Sequence, residues 1–335
     1  MRLSEIPLQD PYVLVDQATQ TYFLYVEASA GGESGVAVYR SKNLRDWTGP
    51  EKTYTVPSGG WADAGGGATG PEVHLHLGRY FLFTTLRNRK TVLAAAQQTG
   101  ARASGDSKWQ NQRARATVIA VADSPLGPFI STEASARITD ASLMTLDGTL
   151  HTDPDGTPWM VFAQDWVQKI DAVMAAVKLK PDLSGPAAAP IWLFNGAQGP
   201  WYLDPQAGAP PGKAAANDLQ CIPYAVFGPQ LYSTPGRRLA MLWSGYRRHF
   251  TEFVQTQAIS KTGNINGPWE QLAPIFTGDR GNGMIFEAFD GRTLMVVHNN
   301  HGQPSASRAE LHEVAITDEG IKVGRHRGDL DGVAG

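Results

Sequence analysis

Short apolar runs recur along this chain in pairs, each pair joined by a polar turn. The first pair is Pro11-Tyr-Val-Leu-Val and Thr21-Tyr-Phe-Leu-Tyr-Val, around Asp16-Gln-Ala-Thr-Gln. The second is Val73-His-Leu-His-Leu and Tyr80-Phe-Leu-Phe-Thr-Thr, around Gly78-Arg79. Gly148-Thr-Leu-His-Thr pairs with Pro158-Trp-Met-Val-Phe across Asp153-Pro-Asp-Gly-Thr, and Pro229-Gln-Leu-Tyr-Ser with Leu239-Ala-Met-Leu-Trp-Ser across Thr234-Pro-Gly-Arg. The fifth pair is Met284-Ile-Phe-Glu-Ala-Phe and Thr293-Leu-Met-Val-Val-His, around Asp290-Gly-Arg. β-Branched and aromatic residues flanking Gly, Pro and Asp turns predict β-hairpins. Further apolar runs at 35–40, 116–121, 172–177 and 256–260 predict a third strand after four of the hairpins. About four strands per unit, repeated five times, predicts an all-β chain folded as a five-bladed β-propeller with four-stranded antiparallel blades. A two-sheet sandwich has no need of five comparable units.

A second repeat strengthens that reading. Ser41-Lys-Asn-Leu-Arg-Asp-Trp-Thr-Gly-Pro, Asp123-Ser-Pro-Leu-Gly-Pro-Phe and Asn264-Ile-Asn-Gly-Pro-Trp-Glu each follow a third strand. Each supplies turn residues, and most add an aromatic placed to plug the gap between blades. Two segments break the rhythm and read as surface insertions: 87–115, with seven Lys/Arg against Asp106 alone, and 195–226, rich in Gly, Pro and Ala. The expected organisation is one propeller domain over 1–320 with a C-terminal tail at 321–335.

Composition narrows the function. With 42% hydrophobic and 18% charged residues the chain is expected to fold rather than remain disordered. A formal net charge of -3 argues against a nucleic-acid partner. The single Cys221 cannot form an internal disulfide, and no Cys/His spacing suggests zinc, so no metal or cofactor is expected. No apolar run is long enough to span a bilayer, and no membrane partner is expected. No signal-peptide core follows Met1, which leads to the expectation of a cytoplasmic chain unless an export signal was removed.

In a propeller, the starts of first strands and the ends of second strands meet at one axial funnel. Here the starts bring Asp10, Glu72, Asp147, Phe227 and Asn282. The returns bring Glu27, Arg87, Asp165 with Trp166, Tyr246 with Arg247, and His298 with His301. Carboxylates for acid–base chemistry, aromatics to stack on sugar faces and polar groups for hydroxyls point to an oligosaccharide or glycoside ligand.

The chain resembles glycoside hydrolase family 43, the five-bladed furanosidase and xylosidase group. Asp10-Pro-Tyr-Val, Thr69-Gly-Pro-Glu-Val-His, Arg115 to Phe129, Leu146-Asp-Gly-Thr-Leu, Trp159 to Gln168, Phe227-Gly-Pro-Gln-Leu-Tyr and Gly283-Met-Ile-Phe carry the resemblance. It implies that Asp10 is the general base that activates water, and that Asp147 tunes and orients the general acid. The family's acid is a carboxylate directly before Gly-Pro in the fourth blade, where this chain has Phe227. Asp165, returning beside Asp147, is the expected replacement. Glu72, Trp166, Phe227, Tyr246, Arg247 and His298 are the expected sugar-binding residues. Many family members hold a calcium ion near a fifth-blade histidine, and here that position is Asn282. The expected activity is hydrolysis of terminal furanosides or xylosides, α-L-arabinofuranosides in particular, with inversion. Two alternatives follow from Phe227 and the rim arginines: a non-catalytic sugar-binding propeller, and a glycoside phosphorylase using Arg87, Arg247 and Arg248.

Overall fold

A computed structural model describes residues 1–92, 113–131, 137–165, 168, 171–199, 224–247 and 252–332. Among them are twenty strands in five sheets. The first blade holds β1 (Tyr12–Asp16), β2 (Thr21–Ala30), β3 (Glu33–Ser41) and β4 (Trp47–Thr55). The second holds β5 (Ala68–His76), β6 (Arg79–Val92), β7 (Arg113–Ala122) and β8 (Ile130–Ser131). In the third are β9 (Thr145–Thr152), β10 (Pro158–Gln164), β11 (Val173–Lys178) and β12 (Ile191–Asn195). The fourth comprises β13 (Phe227–Ser233), β14 (Leu239–Arg247), β15 (Glu252–Ser260) and β16 (Trp269–Phe276). The fifth comprises β17 (Gly281–Glu287), β18 (Thr293–His298), β19 (Ala309–Thr317) and β20 (Gly320–His326).

Every blade is built from four consecutive antiparallel strands, so no strand is exchanged between the chain ends. The inner strands β1, β5, β9, β13 and β17 touch in succession, and β17 touches β1 to complete the ring. The N-terminus ties the seam between the first and fifth blades. Leu8 N–H donates to Ser307 O (3.2 Å), and the Arg2 guanidinium to the Asp329 and Leu330 carbonyls (2.9 and 3.0 Å). The segment 321–332, expected as a tail, instead finishes β20 and forms a short helix, Gly328–Asp331. Its buried Asp331 accepts the Leu311 N–H (2.7 Å), which anchors the end of the chain.

The blades pack face to face, which explains why their strands read as nearly continuous apolar runs rather than clean alternation. Along β10, Met160 and Phe162 pack on Phe81, Phe83 and Ile119 of the second blade. Val161 and Ala163, between them in sequence, pack on Met241 and Trp243 of the fourth. The Gly-Pro-aromatic repeat also bridges blades. Phe129 N–H donates to Thr53 O (2.9 Å), and the Trp269 ring meets Phe194 of the third blade edge-on at 6.3 Å. Of the two insertions, residues 93–112 and 200–223 lie outside the described residues.

Candidate active site

Each blade reaches the axis through one left-handed residue: Asp10 (φ 51), Gly70 (φ 55), Asp147 (φ 52), Gly228 (φ 51) and Asn282 (φ 46). Pro or Gly follows at every position, and the strand pairing of the second to fifth blades slips at this point. Such bulges re-aim a side chain out of the ladder. Asp, Asn and Gly are the residues that tolerate this backbone, so the ring's conformation and its chemistry come from the same residue types. The five residues line a small axial pocket of about 20 Å³, with Tyr12, Glu72, Gln230 and Met284 beneath them.

Asp10 is 25% exposed at the side chain, and its Oδ1 accepts the Asn282 amide (2.6 Å). Burial raises its carboxyl, opposed by the Asn282 hydrogen bond and by His301. It also lines a cavity of about 440 Å³ with Gln9, Glu27, Thr69, Gly70 and Pro304. That size is within the range of small-ligand pockets, roughly 300–1,000 Å³.

Asp147 adjoins it on the axial pocket. Its N–H donates to Thr85 Oγ1 (2.9 Å), and its Oδ2 accepts the Gly228 N–H (3.1 Å). Burial, and next the charge of Asp10, push Asp147 up to about 8. Two neighbouring carboxylates resist ionising together, which favours the protonated form of Asp147.

Behind Asp10 runs a chain of hydrogen bonds. The Asp10 N–H donates to His298 Nδ1 (3.1 Å), and a backbone amide can only donate, so Nδ1 carries no proton. Nε2 of His298 therefore donates to His301 Nδ1 (2.9 Å), and His301 Nε2 donates to the Tyr246 hydroxyl (2.9 Å). Phe253 stacks on His301 at 3.6 Å between ring centroids. Burial pushes His298 down to about 3 and His301 down to about 4, which keeps both neutral, as this chain requires. Burial pushes the Tyr246 phenol up to about 12.

The remaining expected residues separate into layers. Glu72 is buried below the ring, where Gln230 Nε2 (2.5 Å) and His74 Nε2 (3.1 Å) engage its two oxygens, and burial raises its carboxyl. His298 has no exposed surface and acts behind Asp10. Phe227 begins β13 in an aromatic corner, 5.9 Å from the Tyr246 ring and 5.7 Å from Phe253. Asp165 is buried, with Oδ2 2.6 Å from Arg115 Nη1, so it serves as the counterion that holds Arg115 beside Asp147. Trp166 and the Arg247 side chain lie outside the described residues, as does Arg248. Sequence reasoning overlooked Arg115, the Asn282 bond to Asp10 and the glycines flanking Asp147. The shared offset of Asp10-Pro, Gly70-Pro, Asp147-Gly, Gly228-Pro and Asn282-Gly was the signal that could have found the ring.

The model for glycosyl hydrolases family 43 matches residues 4–326. The chain belongs to glycosyl hydrolase family 43. The family 43 enzyme is similar to an endo-arabinase from Bacteroides thetaiotaomicron, at 28% identity and TM-score 0.76, covering 95% of this chain and 98% of that one. An endo-1,4-beta-xylanase from the same organism gives 19% identity and TM-score 0.69 over 96% and 95% of the two chains. An alpha-L-arabinofuranosidase from Lactobacillus brevis gives 15% and 0.68 over 95% and 93%, a likeness of fold. A sequence search of curated proteins finds no match. Family membership makes this a glycosidase and its substrate a carbohydrate.

The calcium ion of related propellers does not fit this axis. Calcium takes six to eight oxygen ligands. Here the ring offers two carboxylates, Asp10 and Asp147, with Asn282 where the resemblance implies a histidine, and no cluster suited to a metal occurs among the described residues. The axial pocket has room for about one water molecule.

Proposed function

We propose that this family 43 enzyme cleaves terminal furanosides or xylosides, α-L-arabinofuranosides in particular, by direct attack of water with inversion. The observation that carries the reading is the Asp10 carboxylate lining the cavity, partly exposed and oriented by the Asn282 amide. From there it takes a proton from water as the water oxygen attacks the anomeric carbon. The cavity that Asp10 lines is of a size to take a sugar. The name of one structural neighbour, an endo-arabinase at 28% identity, supports the choice of sugar.

The test is turnover on a panel of aryl furanosides and pyranosides, with the anomer of the first-formed product read by proton NMR. Release of the inverted arabinofuranose, abolished by Asp10→Asn, is expected. A retained anomer overturns the mechanism, and preference for another sugar overturns the specificity. Phe227 favours one second reading, a propeller that recognises glycans without cutting them. Sugar binding with no turnover of any glycoside would establish it.

A further inference from the structure

We infer that Asp147 itself donates the proton to the departing glycosidic oxygen, in the role that the family resemblance gives to a carboxylate at the Phe227 position. The inference rests on the hydrolase reading above and deepens it.

The ring geometry is its basis. Asp147 has a glycine on either side. Gly228 holds Oδ2 through its N–H (3.1 Å), which leaves Oδ1 to carry a proton. A Cβ on Gly70 would lie 3.2 Å from that Oδ1, so the missing side chain opens a gap beside it. Gly70 also lines the cavity that contains Asp10. Asp10 and Gly70 line both that cavity and the axial pocket that Asp147 lines, so a sugar seated over Asp10 and Gly70 meets the base directly and reaches Asp147 Oδ1 through the gap at Gly70.

Other carboxylates are committed elsewhere. Glu72 is below the ring with both oxygens engaged, and Asp165 is buried against Arg115. Glu27 lines the cavity but accepts the Ala68 N–H and is drawn to the Arg87 guanidinium. Burial acts on Asp147 most strongly, and of the charged groups around it, Asp10, Arg115 and Glu72, the negative charge of Asp10 does most to keep its proton in place. In the step, water gives a proton to Asp10 while its oxygen bonds to the anomeric carbon. The bond from that carbon to the leaving oxygen breaks, its electron pair stays with oxygen, and Asp147 supplies the proton. Proton loss from Asp10 and uptake by Asp147 from solvent restore the site.

The experiment compares the wild type, Asp147→Asn and Glu27→Gln on a methyl arabinofuranoside and its dinitrophenyl counterpart, whose leaving group departs without protonation. Asn accepts the left-handed backbone of position 147, so the fold is retained, and activity on the dinitrophenyl glycoside reports this directly. Asp147→Asn is expected to lose about 100-fold or more in kcat/KM on the methyl glycoside and less than about tenfold on the dinitrophenyl one. Wild-type activity on the methyl glycoside should fall as pH rises through about 8, with no such fall on the dinitrophenyl glycoside. Equal losses on both substrates, or a leaving-group-dependent loss in Glu27→Gln instead, overturn the donor assignment and leave hydrolysis intact. No turnover of either substrate by the wild type overturns hydrolysis, and the donor assignment falls with it.

Discussion

The first and fourth blades enter the axis on the same backbone and present opposite chemistry. Both turn at φ 51, at Asp10 and at Gly228, and both place Pro next. In the first blade the turning residue carries a carboxylate, bonded to Asn282 and backed by His298. In the fourth blade the turning residue has no side chain, and Phe227 before it packs with Tyr246 and Phe253. The ring is therefore a scaffold that tolerates a change of chemistry at one blade, because the left-handed turn requires only a residue that accepts it. The Gly228 N–H holds Asp147 Oδ2 (3.1 Å), and that contact joins the two halves of the site.

The largest break in this comparison comes from Asp10→Asn. Asn keeps the backbone and a hydrogen-bonding side chain but cannot accept a proton, so kcat/KM should fall about 1,000-fold with the melting temperature held. A small loss would mean that the carboxylate of the first blade is not the base. Gly228→Ala tests the scaffold next. Its Cβ would lie 2.6 Å from Asn282 Oδ1 on a backbone that L-residues resist, and would displace the amide that orients Asp10. Misplacement on this scale costs about 100-fold in catalysis. Unchanged kinetics would show that the ring does not position Asp10.

The same contrast explains what was legible in the sequence. The blades were legible because each strand packs on two neighbours, so Met160 to Ala163 must all be apolar and the run stands out. The axial positions of Asp10 and Asp147 were legible because a left-handed turn favours Asp before Pro or Gly and both residues stand near the start of the first strand of a blade. Contacts made across the ring were not. The Asn282 amide reaches Asp10 from the other end of the chain, and His298 acts through a backbone amide that has no sequence signature. The hairpin topology brought Asp165 back towards the funnel, but period-two alternation cannot tell a rim carboxylate from one turned onto Arg115. The C-terminal segment looked polar and Gly-rich, and its role came from a single buried carboxylate, Asp331, capping Leu311.

His298 sharpens the first-blade side of the comparison. Its folded pKa, about 3, lies below the ordinary 6.5, so between those values the unfolded chain binds more protons than the folded one. Stability therefore falls as pH falls across that window. His301, at about 4, adds to the loss in the same direction. His298→Gln keeps an acceptor for the Asp10 N–H and removes one titration. Its melting temperature should decline less steeply between pH 6.5 and 4 than that of the wild type, with kcat/KM lower by about tenfold. Parallel declines would show that these histidines do not govern acid stability.

The smallest effect is expected where the two regions meet. The Tyr246 hydroxyl accepts the proton of His301 Nε2 at the end of the Asp10 chain, while its ring stands edge-on to Phe227. Tyr246→Phe keeps the ring contact and removes the hydroxyl. His301 Nε2–H is then left without that partner, at a cost of about 1–3 kcal/mol in stability. The effect on kcat/KM should be only a few-fold, because Asp10 is still held by Asn282 and His298. Thermal melting and kinetics on one aryl arabinofuranoside read both quantities. A loss of activity comparable with that of Asp10→Asn would place Tyr246 in the chemistry itself, and the aromatic corner of the fourth blade would then be a working part of the site.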